Sequence, residues 1–170
     1  MSGASYDDPA KAARHALDVF YDGRAQAPTD PVFIARGLGI NVWQSLMDNS
    51  LSGMLAKLSP NPDGDIDLLV NSNHAPVRQR FTVAHELGHY YSILRTNPEL
   101  DLTFMFKRDD VSSCGVSSQE IYANKFAAEL LMPSKSIDAL WPAMDAVSLA
   151  ATFQVSLQAM NHRLKNLRLV

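Results

Sequence analysis

The residues with the clearest chemistry in this chain are His85-Glu86-Leu87-Gly88-His89. Histidines at i and i+4 of a helix project from one face about one turn apart, so two imidazoles can share one metal ion. Glu86 follows the first histidine and is placed to touch a metal-bound water instead of the metal. In zinc peptidases of this pattern that glutamate is the general base. Zinc lowers the pKa of its water toward about 7, and the carboxylate takes the proton as the water attacks a carbonyl. Phe81, Val83, Ala84, Leu87 and Ile93 make the surrounding helix apolar. Two buried histidines and a glutamate without a metal would carry a large desolvation cost.

A catalytic zinc site needs a third protein ligand and an open fourth position. Glu120, near the start of the next strongly helical segment, is the leading candidate, with Asn124 and Ala127 one and two turns on along the same face. Periodicity leaves a rival open: Ser117-x-x-Glu120 is also a capping box, in which the glutamate folds back on the helix start. Glu129 is the alternative ligand, but at two and a half turns further on it is expected to face solvent or cap a polar contact.

Elements that could position these groups can be read around them. Asp8-Pro9 and Asp30-Pro31 are helix starts, each with proline at the first helical position. Short strands are expected at 40–43, 51–58 and 66–70, the last two joined by a hairpin loop at 59–64, as a small antiparallel sheet. A helix is expected from Pro76 to about Arg95 and another over 119–132, stopped by Pro133. Between them, 96–118 is long for a bare loop, and three or four short helices follow from 134. The fold class is therefore α+β and mainly helical, with residues 1–133 as the core and 134–170 as a helical extension packed on it.

Composition narrows the function classes. The chain has 170 residues, 46% of them apolar, and a net charge of 15 − 18 = −3. That argues against a disordered chain and against a strongly basic nucleic-acid binder. A single cysteine excludes an intrachain disulfide and a four-cysteine zinc ribbon, so a metal must rest on the five histidines and the carboxylates. The first eight residues lack the pattern of a signal peptide, and no apolar run approaches the roughly twenty residues that span a bilayer. A cytoplasmic protein without a membrane partner is the expectation.

The segments Arg78-Gln79-Arg80-Phe81-Thr82-Val83-Ala84-His85-Glu86-Leu87-Gly88-His89 and Glu120-Ile121-Tyr122-Ala123-Asn124-Lys125-Phe126-Ala127-Ala128-Glu129-Leu130-Leu131-Met132-Pro133 resemble the ImmA/IrrE family of bacterial metallopeptidases. The similarity extends upstream to Pro31 and downstream through Arg163-Leu164, covering roughly residues 10–168. The resemblance implies a zincin-like fold, with zinc on His85, His89 and Glu120 and Glu86 as the base, and so decides the capping-box question in favour of the metal. Members of the family cleave helix-turn-helix repressors, and others sit beside toxin–antitoxin or phage genes. The implied substrate is a helix-turn-helix repressor or antitoxin. The chain departs from many members in having Tyr90-Tyr91-Ser92 where they carry a further histidine, and the sensor domain of the longer ones is not expected in it.

Other residues carry weaker expectations. Leu51 to Ala56 is a candidate edge strand for strand addition by a peptide, with Gly53 allowing close approach of the substrate backbone. His74 could contact substrate or the oxyanion, although a role at the start of the metal helix has more in its favour. Asn124 is a candidate to support a ligand. Arg78 and Arg80 either steer an acidic peptide or tie the helix down. Nothing separates Tyr90, Tyr91 and Tyr122 as electrophile. Cys114, a loop cysteine by default, could reach the zinc as a redox switch. Residues 146–170 have the shape of a helix-turn-helix capped by Ser156, for which packing and partner docking are favoured over DNA binding. The rival to a peptidase is a metal-stabilised antitoxin or regulator that acts by sequestering a partner or binding DNA.

Overall fold

The computed structural model describes residues 7–23, 27–56, 66–96 and 118–170. The expected hairpin loop at 59–64, Cys114 and Ser117 lie outside them. The described elements are α1 (Pro9–Tyr21), α2 (Pro31–Gly37), β1 (Ile40–Ser45), β2 (Gly53–Ala56), β3 (Ile66–Asn71), α3 (Pro76–Thr96), α4 (Ser118–Leu131), α5 (Ser134–Leu140), α6 (Ala146–Phe153) and α7 (Leu157–Asn166). The fold is mixed α/β, dominated by helix.

The helix starts form as the capping chemistry requires. Asp8 Oδ1 accepts from the backbone N–H of Ala10 at 2.8 Å and of Lys11 at 3.2 Å, and Asp30 Oδ1 accepts from Val32 and Phe33. Ser156 Oγ accepts from Ala159 N at 3.1 Å at the start of α7. Each side-chain oxygen satisfies donors that have no partner within the helix.

The sheet corrects the antiparallel expectation. Its order is β1-β3-β2, with β3 antiparallel to β2 but parallel to β1, in the register Ile40↔Ile66 through Ser45↔Asn71. The reason lies in burial. β3 contributes buried Leu68, Val70 and Asn71 and takes the centre, while β1 and β2, adjacent in sequence, are separated to the edges. The chain between them is a crossing, not a hairpin. Asn71 Nδ2 pins it by donating to the carbonyls of Met47, Asp48 and Leu51.

The core sits where α3 packs on α4. Gly88 makes the approach possible: a Cβ there would lie 2.7 Å from Ala123 Cα and 2.9 Å from its carbonyl oxygen. Leu87, Phe126, Leu130 and Leu131 are fully buried around this crossing. On the far side, α1 lays Ala12, Ala13 and Ala16 against α4, a smooth face that lets the two helices close up. The sheet covers α3 from another side through Leu55, Leu68 and Val70.

Candidate metal centre

Helical periodicity aligns the chemistry along the α3–α4 pair. On α3, Phe81, His85 and His89 follow at four-residue steps, and on α4 Glu120, Asn124 and Ala128 do the same. Four residues advance a helix by about one turn plus 40°, so each set forms a slowly winding stripe. The two stripes meet at His85, His89 and Glu120. Their ligand atoms all lie within 4.8 Å of one another, and the group is able to hold a metal ion.

The distances suit an ion at the centre. His85 Nε2 and His89 Nε2 are 2.9 Å apart. His85 Nε2 lies 3.2 Å from Glu120 Oε2, and His89 Nε2 lies 3.2 Å from Glu120 Oε1. Bonds of 2.0–2.1 Å in a tetrahedral site give ligand–ligand edges of about 3.3 Å. Proton counting points the same way. Two Nε2 atoms at 2.9 Å cannot both point a proton at each other, so at least one of them presents a lone pair there. Two imidazoles and one carboxylate are a donor set that zinc accepts.

The surroundings fix these groups in place. His85 Nδ1 donates to Asn124 Oδ1 at 3.1 Å, and this bond leaves the Nε2 lone pair facing the other two ligands. His89 is 2% exposed, and Glu86, next to His85, is 5% exposed. Glu120 is the open member, its side chain 38% exposed, so the group has one solvent-facing side.

The remaining sequence candidates fall elsewhere. His74 is not part of the three-ligand group; its Nε2 meets the carbonyl of Asn49 at 3.2 Å, just before α3 begins. At Gly53 a Cβ would lie 2.5 Å from Thr82 Cγ2 and 2.6 Å from Leu69 O, so the glycine is required for packing β2 on α3. β2 itself is an edge strand among the described residues. Arg78 donates to Ser52 Oγ and Arg80 to the carbonyl of Thr29, both tying α3 down. Tyr91 is buried and stacked on Phe126, with ring centroids 4.9 Å apart.

Glu129 is neither a metal ligand nor at the surface. Its carboxylate accepts from Arg14 at 3.1 Å, from Arg163, and from Ser134 Oγ at 2.9 Å, joining α1, α4, α5 and α7. Sequence reasoning also missed a cleft of about 550 Å³ beyond the metal group, lined by Phe81, Asn124, Ala128, Met132, Ala159 and His162 among others. The signal was available. Continuing the two ligand stripes away from the metal group reaches Val77 on α3 and Met132 just past the end of α4.

A helix carrying two histidines one turn apart, faced by a carboxylate from the next helix, over a small sheet whose β2 is an edge strand among the described residues, is the arrangement of a metallopeptidase-like domain. Residues 38–165 match the family model of the IrrE N-terminal-like domain, Peptidase_M78. The chain belongs to this family of metallopeptidase domains. No curated protein matches the chain. None of the helices among the described residues is long and apolar enough to cross a membrane.

Proposed function

We propose that the protein is a zinc-dependent endopeptidase of the cytoplasm that cleaves a helix-turn-helix repressor or antitoxin and so relieves repression. The observation that carries the reading is the convergence of His85, His89 and Glu120 within 4.8 Å, with Glu86, the residue after His85, buried. A zinc ion held by these three residues would supply a water of lowered pKa and polarise the substrate carbonyl. Glu86 takes the proton of the attacking water on its carboxylate and returns it to the leaving amide nitrogen. Asn124 holds the His85 ring in the tautomer that presents Nε2. Among the described residues β2 is an edge strand packed near α3, and its backbone groups suit an extended substrate chain.

The test is cleavage of a purified helix-turn-helix repressor, taken first from the neighbouring gene, by the zinc-loaded protein. Glu86→Gln should keep its zinc and lose about 100- to 10,000-fold in rate, the range for removal of a general base. Undiminished cleavage by that variant would sink the mechanism.

A further inference from the structure

We propose that the cleft between α3, α4 and α7 receives a segment of the substrate carrying a large apolar side chain next to a carboxylate, and that α7 selects it. The inference rests on the peptidase reading for its statement that the occupant is substrate.

Position is the first argument. Asn124 lines the cleft and also bonds His85; Phe81 lines it too, its ring centroid 6.1 Å from that of His85. The cleft thus shares with the metal group two residues that touch His85. From Val77 to His85 is eight residues of α3, about 12 Å, the length of three or four extended peptide residues. A volume of about 550 Å³ falls within the range of ordinary ligand pockets.

Chemistry is the second. Phe81, Ala128, Met132, Val155 and Ala159 make the walls apolar. Among the described residues Arg78, His162 and Arg163 line the cleft and no acidic residue does, although the whole chain carries a charge of −3. The Arg163 charge is answered by buried Glu129. Arg78 donates to the neutral hydroxyl of Ser52, a contact that leaves its positive charge in place. An apolar cleft beside a guanidinium that pairs with no carboxylate among the described residues is complementary to an apolar and acidic peptide.

The orientation of α7 is the third. Gln158, His162 and Asn166 follow at i, i+4 and i+8 on one face of α7, and all three line the cleft with residues of α3 and α4. Their amide and imidazole groups are suited to bonding a peptide backbone.

The experiment titrates the zinc-loaded, full-length Glu86→Gln protein with two probes, acetyl-Ala-Leu-Glu-Leu-Ala-amide and its analogue with lysine in place of glutamate, followed by amide NMR. The acidic probe should shift Ala128, Gln158 and His162 and bind at least tenfold more tightly. Ala159→Trp, which fills the cleft, should weaken it at least tenfold with zinc content unchanged. Arg78→Glu combined with His162→Glu, both at exposed positions, should reverse the preference. Equal binding of the two probes, no binding of either, or shifts confined to the sheet would overturn the proposal. So would duplex DNA shifting these signals where the peptides do not. Binding of the probe with no turnover of any repressor by the unmutated protein leaves the cleft standing and removes the peptidase reading. Glu86-dependent turnover with no probe in the cleft does the reverse.

Discussion

Two glutamates on α4 have opposite fates. Glu120 and Glu129 are nine residues apart, two and a half turns, and so leave the helix on opposite faces. Glu129 is 3% exposed and closed in by the guanidinium groups of Arg14 and Arg163. Glu120 is 38% exposed, and its oxygens lie 3.2 Å from two imidazole nitrogens. The first carboxylate has its cations built into the fold, and its pairing is structural. The second faces two imidazoles, with which it makes up the group that could hold a metal ion. Two carboxylates with the same helix as support thus differ in the groups across from them.

That contrast predicts a division of phenotypes. Glu129→Ala leaves two guanidinium groups facing a buried gap and should cost about 3–5 kcal/mol of stability, as removal of one partner of a buried pair does. The urea midpoint should fall at constant slope; a loss under about 1 kcal/mol would mean that the cluster is not a structural hub. Glu120→Ala should do the opposite. Zinc affinity should fall by more than the roughly 10- to 100-fold that loss of an outer-shell partner costs, while zinc-free stability stays within about 0.5 kcal/mol. Competition with a chromophoric chelator reads the first quantity and urea melts the second.

Asn124→Ala lies between these cases. It keeps all three ligands but frees the His85 ring, and about 10- to 100-fold of zinc affinity should be lost. Unchanged affinity would leave the 3.1 Å bond as packing only. The smallest effect is in pH dependence. Burial raises the Glu129 pKa, but the charge and hydrogen bonds of Arg163, with hydrogen bonds from Ser134 and Arg14, outweigh it and hold the carboxyl below its ordinary value. A folded pKa below the unfolded one gives stability that is present in full above about pH 4.3 and is lost as pH falls from there through the folded value. Urea midpoints measured from pH 7 to pH 3 should therefore decline more steeply in the unmutated protein than in Glu129→Gln. Parallel curves would assign acid sensitivity to other carboxylates.

Much of the site was legible because its information is local. The spacing of His85 and His89, the apolar residues around them and the proline at 133 are short-range signals that a helix converts directly into geometry. Asp8, Asp30 and Ser156 named their own helix starts for the same reason. Glu120 was half legible: its spacing from Asn124 placed it on one face, but the same residue fitted a capping box, and only the family resemblance separated the two readings.

Strand order, by contrast, depends on which strand buries most from both edges, and no local pattern shows that β3 would separate β1 from β2. Glu129 looked like a residue for the surface or a polar contact, since the arginines that meet it are 115 and 34 residues away. The sequence by itself determined which residues could bind a metal and which face of each helix they occupy, because helical periodicity follows from backbone geometry alone. Tertiary structure decided which carboxylate faces imidazoles and which faces guanidiniums, and that α7 lies along the cleft beside the metal group. Those are outcomes of long-range packing, in which a residue's partners come from segments its own neighbourhood cannot specify.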